Sequence, residues 1–187
     1  KYAHRLGFGL EEETWRLMAR DLGRLESISG DRLRQELDRM LVEPQAAGML
    51  KSAGEMGVLR AIHPALETPS ALLDRLQGSG GELPGAGVGS LLGLLVFSAP
   101  ADQAPGVIQR LSLVGRSAAV VAGVVSLRGR MEELGGPDVR ASRIVETLRG
   151  LDDAAVEVCA IAAEDPLVRE RLELYLGRLR HARPELS

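Results

Sequence analysis

A chain of 187 residues with a formal net charge of −3 and aromatics at only 3% has no uniformly basic coat for nucleic acid and little of the aromatic content that sheets favour. Its 45% apolar content can bury a real core in one domain or two small ones. Cys159 is the single cysteine, which excludes an intrachain disulfide and a thiolate zinc cluster. It lies in the apolar run Ala-Val-Glu-Val-Cys-Ala-Ile-Ala, where a buried small hydrophobe fits better than a nucleophile. Lysine occurs only at Lys1 and Lys51, so the cationic character is almost all arginine, which is either the side chain suited to bidentate phosphate contacts or simply the mark of a GC-rich genome. No basic-then-apolar leader opens the chain, and the apolar runs near 88–97 and 118–127 fall short of the ~20 residues that span a bilayer. These features predict a soluble, cytoplasmic, all-α protein of about ten helices and no sheet.

In chain order, Lys1 to Leu6 reads as the end of a helix, closed by Gly7, with Phe8 and Leu10 packing back on it. Glu11–Leu22 forms the next helix, its three leading acids suiting the positive end of the dipole. Trp15, Met18, Leu22 and Leu25 recur at i, i+3, i+7 and i+10, which predicts one buried face. Arg16, Arg20 and Arg24 form a separate stripe at i, i+4 and i+8. That stripe could follow an RNA backbone, or it could be a solvated face with Glu12 and Arg16 paired. Ser29 and Asp31 have helix-start chemistry, and Leu33, Leu37, Met40 and Leu41 make the apolar side of the helix that follows. Arg32 and Glu36 fall at i, i+4, as do Arg34 and Asp38.

Pro44 suits the first position of a helix running to about Met56, with Gly57 as its cap. His63 precedes Pro64 without a second ligand at metal spacing and reads as structural. Thr68–Gln77 predicts a capped helix, and the glycine-rich stretch 78–89 a flexible linker, because no Gly-Lys-Ser/Thr makes it a phosphate cradle. The expected division is therefore a neck-like helical domain over 1–77, a linker over 78–89 and a helical body over 90–187. Within that body, Ser90–Ser98 is apolar on nearly every side and should be a central helix. Helices at Ala104–Ser112, Arg116–Leu134, Asp138–Leu148, Ala154–Ala163 and Pro166–Ala182 follow, with Asp152 and Asp153 at an N-terminus. Leu167, Leu172, Leu174, Leu176 and Leu179 are expected against the core. Arg178, Arg180, His181 and Arg183 crowd the end, where cations complement a helix C-terminus or could hold phosphates.

Three of these stretches carry a family resemblance: Arg5-Leu-Gly-Phe-Gly-Leu-Glu-Glu-Glu-Thr-Trp15, Ile28-Ser-Gly-Asp-Arg-Leu-Arg-Gln-Glu-Leu37 and Met56-Gly-Val-Leu-Arg-Ala-Ile-His-Pro-Ala-Leu66. Together they resemble the neck of the class II tRNA nucleotidyltransferase/poly(A) polymerase family, which adds or repairs the tRNA 3′ end. Lys1 to Phe8 is similar to the second half of that family's base-reading motif. Ile28 to Glu36 is similar to its Ile-Ser-Gly-Glu-Arg motif, with Asp31 in place of the usual Glu. The resemblance covers the first 66 residues and, more weakly, the helical remainder. It implies that Arg32 and Glu36 brace the nucleotide-reading helix, and that the base-reading Asp and Arg lie upstream of residue 1. It implies, too, a neck and body truncated at both ends and parted from its catalytic head domain. The partner so implied is the acceptor–TψC region of tRNA, for which Arg16, Arg20, Arg24, Arg34, Arg178, Arg180 and Arg183 are the candidate contacts.

Nucleotidyl transfer needs a Gly-Ser motif and Asp-x-Asp carboxylates for Mg²⁺, and no such set is present in the sequence. The resemblance therefore assigns Mg²⁺ and the CTP or ATP substrates to the head of the parent enzyme. It leaves this chain without cofactor, catalytic residue or membrane partner, and inactive alone. A helical scaffold or protein-interaction domain with no RNA role is the alternative, favoured by the acidic net charge and the scarcity of base-stacking aromatics.

Overall fold

The computed structural model describes residues 7–9, 11–41, 43, 45–67 and 87–181. The protein is all-α, with ten α-helices and no strand among the described residues. In chain order they are α1 (Glu12–Asp21), α2 (Gly30–Leu41), α3 (Ala46–Glu55), α4 (Val58–Ile62) and α5 (Val88–Val96), then α6 (Ala104–Arg110), α7 (Gly115–Arg128), α8 (Ala141–Leu148), α9 (Asp153–Ala162) and α10 (Pro166–Gly177). Short 3₁₀ turns occupy Leu22–Ser27, Ala101–Gln103, Met131–Leu134 and Leu179–His181.

The centre is α5. All nine of its residues are buried, as an apolar sequence with no polar side requires. Each of its leucines contributes roughly 1.5–3 kcal/mol by leaving water. Glycines let α7 and α9 come close: a Cβ at Gly89 would lie 2.9 Å from the Ser117 Cα, and one at Gly93 2.9 Å from the Val124 Cγ2. One at Gly123 would lie 3.1 Å from the Ala155 Cβ. Val88 and Gly89 fall in the stretch expected as linker, but both belong to α5; Gly89 serves close packing rather than flexibility. The rest of that stretch, and the expected helix at Thr68–Gln77, lie outside the described residues.

A single cluster of buried side chains runs from Leu33 and Leu37 of α2, through α5, α7 and α9, to Leu172 and Tyr175 of α10. Several expected boundaries move within it. The predicted helix Arg116–Leu134 ends at Arg128, where the Arg130 amide turns back to the Leu127 carbonyl at 2.8 Å, and only then re-forms as a 3₁₀ turn. The last helix stops at Gly177 instead of Ala182. Its buried stripe is Val168, Leu172 and Tyr175, at i, i+4 and i+7, so Leu167 falls off the face and is 43% exposed instead of packed on the core. Asp152 and Asp165 cap α9 and α10, accepting the amides of Ala154 at 3.0 Å and Leu167 at 2.8 Å.

The arginine excess has a structural use. Carbonyls at helix ends and in the turns between helices need partners beyond the helical ladder, and five arginines supply them. Arg34 donates to the Ser112 carbonyl, Arg110 to those of Leu25 and Ile28, and Arg128 to those of Phe97 and Ala99. Arg169 donates to the Ala163 carbonyl, and Arg171 to those of Leu134 and Pro137. A planar fork with several donors suits this better than an ammonium.

Cys159 is fully buried on α9, its sulfur 3.7 Å from the Val124 carbonyl. Burial pushes its thiol up to about 12. It should stay unlabelled by iodoacetamide at about pH 8 in the folded chain and react within minutes once denatured, because only the thiolate attacks. Rapid native labelling, followed by mass spectrometry, would contradict this placement.

Candidate nucleic-acid interface

The segment that carries the sequence motifs is α1 to α4. Gly7 has φ +68 and Gly57 φ +75, the left-handed conformation predicted at both places. The α1 helix differs from expectation. None of its residues is buried; Trp15 is 37% and Leu17 43% exposed. The 3.6-residue period breaks at Leu22, where the chain tightens into a 3₁₀ turn, so the stripe from Trp15 to Leu25 does not continue on one face. Leu22 and Leu25 are half-buried, and Leu25 packs against the core.

The candidate arginines divide into two groups. Arg16, Arg20 and Arg24 stand in solvent, their side chains 70%, 65% and 79% exposed. Arg16 pairs with Glu12 at 3.3 Å, as the spacing predicts, and also with Glu13 at 3.8 Å. Arg20 and Arg24 share Asp21 at 3.0 and 3.7 Å, and the Arg20 hydrogen bond holds that carboxyl below its ordinary range. Exposed pairs of this kind are screened by water and contribute little, so an incoming phosphate can displace them. Arg34 is different. It is 25% exposed, bonded to the Ser112 carbonyl at 2.8 Å and to Asp31 at 2.9 Å, not to Asp38. It is held internally.

Arg32 and Glu36 lie on the exposed side of α2 and flank an apolar groove of about 210 Å³ floored by Leu33, Leu37, Met40 and Leu59. They are not bonded to each other; Glu36 accepts from Arg39 at 2.6 Å. At the far end of the chain Arg180 is tied to Asp153 and donates to the His181 Nε2 at 2.9 Å. Arg178 is exposed, and Arg183 lies outside the described residues. Nearby, Arg116 holds Asp152 through two hydrogen bonds of 2.8 and 3.0 Å, the main reason that carboxyl sits below its usual range. Among the described residues no three His, Cys, Asp or Glu side chains are grouped to hold a metal ion. No described helix is long and apolar enough to cross a membrane.

His63 is part of the wall behind this segment. Its Nδ1 accepts the Ala65 amide at 3.1 Å, and its Nε2 faces Gly106, where a Cβ would be only 2.8 Å away. Burial, and then the charge of Arg110, hold the imidazole below its ordinary range. The unfolded chain therefore binds this proton more readily than the folded one. Stability from this residue is fully present above the ordinary histidine value of ~6.5 and declines as pH falls below it. Glu157, whose carboxyl burial pushes upward, works in the opposite sense. The readout is thus the difference between the wild type and His63→Gln, whose urea midpoint should lose less between about pH 7.5 and 5.5. Identical pH slopes would remove His63 from this role.

These four helices coincide with a known family model. Residues 7–68 match PolyA_pol_RNAbd, described as the probable RNA and SrmB-binding site of polymerase A. Two curated relatives overlap with a third of the chain. Both are multifunctional CCA proteins from strains of Xanthomonas campestris pv. campestris, 42% identical over 64 residues, which is 33% of this chain and 16% of theirs. No solved structure matches. The chain thus carries a stretch similar to the poly(A) polymerase and CCA-adding proteins, while the matched stretch spans a small part of those relatives' length.

Proposed function

We propose that residues 7–67 are an RNA-contacting part of a tRNA nucleotidyltransferase or poly(A) polymerase-like enzyme. In this reading the chain positions the acceptor–TψC stack of tRNA by shape and phosphate contacts, the usual way of holding A-form RNA. The observation that carries it is the coincidence of the RNA-binding family model with a folded segment in which Arg16, Arg20 and Arg24 all stand exposed to solvent. Mg²⁺, the nucleoside triphosphates and the chemical step belong, on this reading, to a head domain outside these residues. So does the structure that Arg32 and Glu36 would brace. The division into a neck over 1–77 and a body over 90–187, and a cytoplasmic location, go with the same proposal.

A second reading, a helical scaffold, draws support from the carboxylates that accompany Arg16, Arg20, Arg24, Arg39 and Arg180. Binding of an acceptor–TψC minihelix across a salt series, against an unrelated hairpin, separates the two. The RNA reading expects preference for the minihelix, with log K falling by about 0.9 per neutralised phosphate for each decade of salt. Changing Arg16, Arg20 and Arg24 together to Gln should weaken binding and flatten that slope by about 1 for each phosphate no longer neutralised. No binding at low salt, or no preference, would favour the scaffold.

A further inference from the structure

Two arginines cross the seam between the α1–α4 segment and the rest of the chain, in opposite directions. Arg110, at the end of α6, sends its Nη2 to the Leu25 carbonyl at 2.6 Å and its Nη1 to the Ile28 carbonyl at 3.0 Å. The Leu25 carbonyl also accepts the Ile28 amide at 3.1 Å, so the guanidinium locks the turn that closes the 3₁₀ stretch. From the other side, Arg34 of α2 donates to the Ser112 carbonyl at 2.8 Å. Gly30 lies between them, and a Cβ there would sit 2.4 Å from the Arg110 carbonyl oxygen. The seam is therefore tight, and each side holds the other's backbone.

The connection between α1 and α2 runs along this seam. The α1 helix buries none of its own residues, so what fixes where it points is the connection after it, through the packing of Leu25 and Ile28 on the core and the two carbonyls that Arg110 holds. It joins α2 through residues 22–29, and this is the connection that Arg110 grips at two carbonyls. The placement of its exposed arginines relative to α2 is set by the conformation of that connection.

We propose that Arg110 is a positioning residue for RNA: it touches no RNA itself but fixes the turn that carries Arg24 and sets the angle at which α1 presents Arg16 and Arg20. This rests on the RNA reading above. The partner it serves is the phosphate backbone of an A-form RNA. Lysine at this place keeps the charge but cannot span two carbonyls with a fixed fork.

The test uses the 187-residue chain, its Arg110→Gln and Arg110→Lys variants, and Arg20→Gln in the wild-type and Arg110→Gln backgrounds. Hydrogen exchange at the Ile28 amide reads the turn, and amides of α7 and α9 report whether the core is intact. Arg110→Gln should speed Ile28 exchange and weaken minihelix binding by about tenfold each, the scale of removing one charge-assisted hydrogen bond. Arg110→Lys should restore only part of either. Arg20→Gln, which weakens the wild type, should do little in the Arg110→Gln background, because coupled sites are not additive. If the Gln variant loses core protection, the Lys variant carries the same comparison. Faster Ile28 exchange with unchanged binding overturns the proposal, as do unchanged exchange or simply additive losses. A wild-type chain that binds no minihelix sinks the RNA reading and this inference with it, whereas wild-type binding left intact by Arg110→Gln sinks the inference alone.

Discussion

Replacing Gly30 by alanine is expected to destabilise the chain by about 2–4 kcal/mol, as the sum of overpacking at ~1–3 kcal/mol and weakened charge-assisted hydrogen bonds. The new Cβ would lie 2.4 Å from the Arg110 oxygen, 2.7 Å from the Ser112 Oγ and 3.0 Å from the Leu111 carbonyl carbon. Two of these three are backbone atoms, which cannot rotate away, so α2 or the end of α6 must move. Either movement stretches the bonds from Arg110 to Ile28 and from Arg34 to Ser112. Helix propensity acts in the other direction, since alanine is favoured over glycine by roughly 0.5–1 kcal/mol; the clash is the larger effect. Gly23→Ala is the control. It has no atom within 4 Å of the added carbon and no left-handed backbone, so it should be neutral or slightly stabilising, by about 0.4–1 kcal/mol at most. Urea midpoints of the two variants decide the matter. A Gly30→Ala chain as stable as the wild type would mean that the seam is looser than these distances describe.

Leu94→Ala should cost about 2–5 kcal/mol, the range for emptying a buried leucine site. Leu94 has no exposed surface and sits in the helix that is buried on every side. The glycine seam around it leaves little room for neighbours to collapse, because Gly93 and Gly123 already bring α7 and α9 against adjoining side chains. With a whole domain held by roughly 5–15 kcal/mol, this one change should shift the unfolding midpoint far more than Leu167→Ala. Leu167 is 43% exposed, and surface changes stay within about 0.5 kcal/mol. Equal midpoints for the two variants would contradict the placement of α5 at the centre.

Local chemistry made much of this architecture legible. The unbroken apolar character of residues 88–96 marks a helix with no polar face to turn to water, and α5 is that helix. Gly57, Asp152 and Pro166 announce helix ends whose backbone needs are local, and each stands where its chemistry places it. Periodicity failed where a neighbour was required to give it meaning. Trp15, Met18 and Leu22 have helical spacing, yet spacing alone cannot supply a surface to pack on, and α1 buries none of its residues. Leu167 misleads for a related reason: five leucines in a short stretch do not share one face, and Tyr175 with Val168 defines the stripe that does.

The arginines show most clearly where the limit lies. Sequence order alone determines the all-α class, the buried central helix, the caps and the motif-bearing segment at 7–68. Those properties depend on residues within a few turns of one another. Whether Arg34 and Arg110 face solvent or grip a carbonyl depends instead on partners 78–85 positions away, Ser112 for the first and Leu25 and Ile28 for the second. Arg16 and Arg34 look equivalent as cations on successive amphipathic helices. Only the tertiary structure separates them, because it closes α6 against Gly30 and leaves α1 in water.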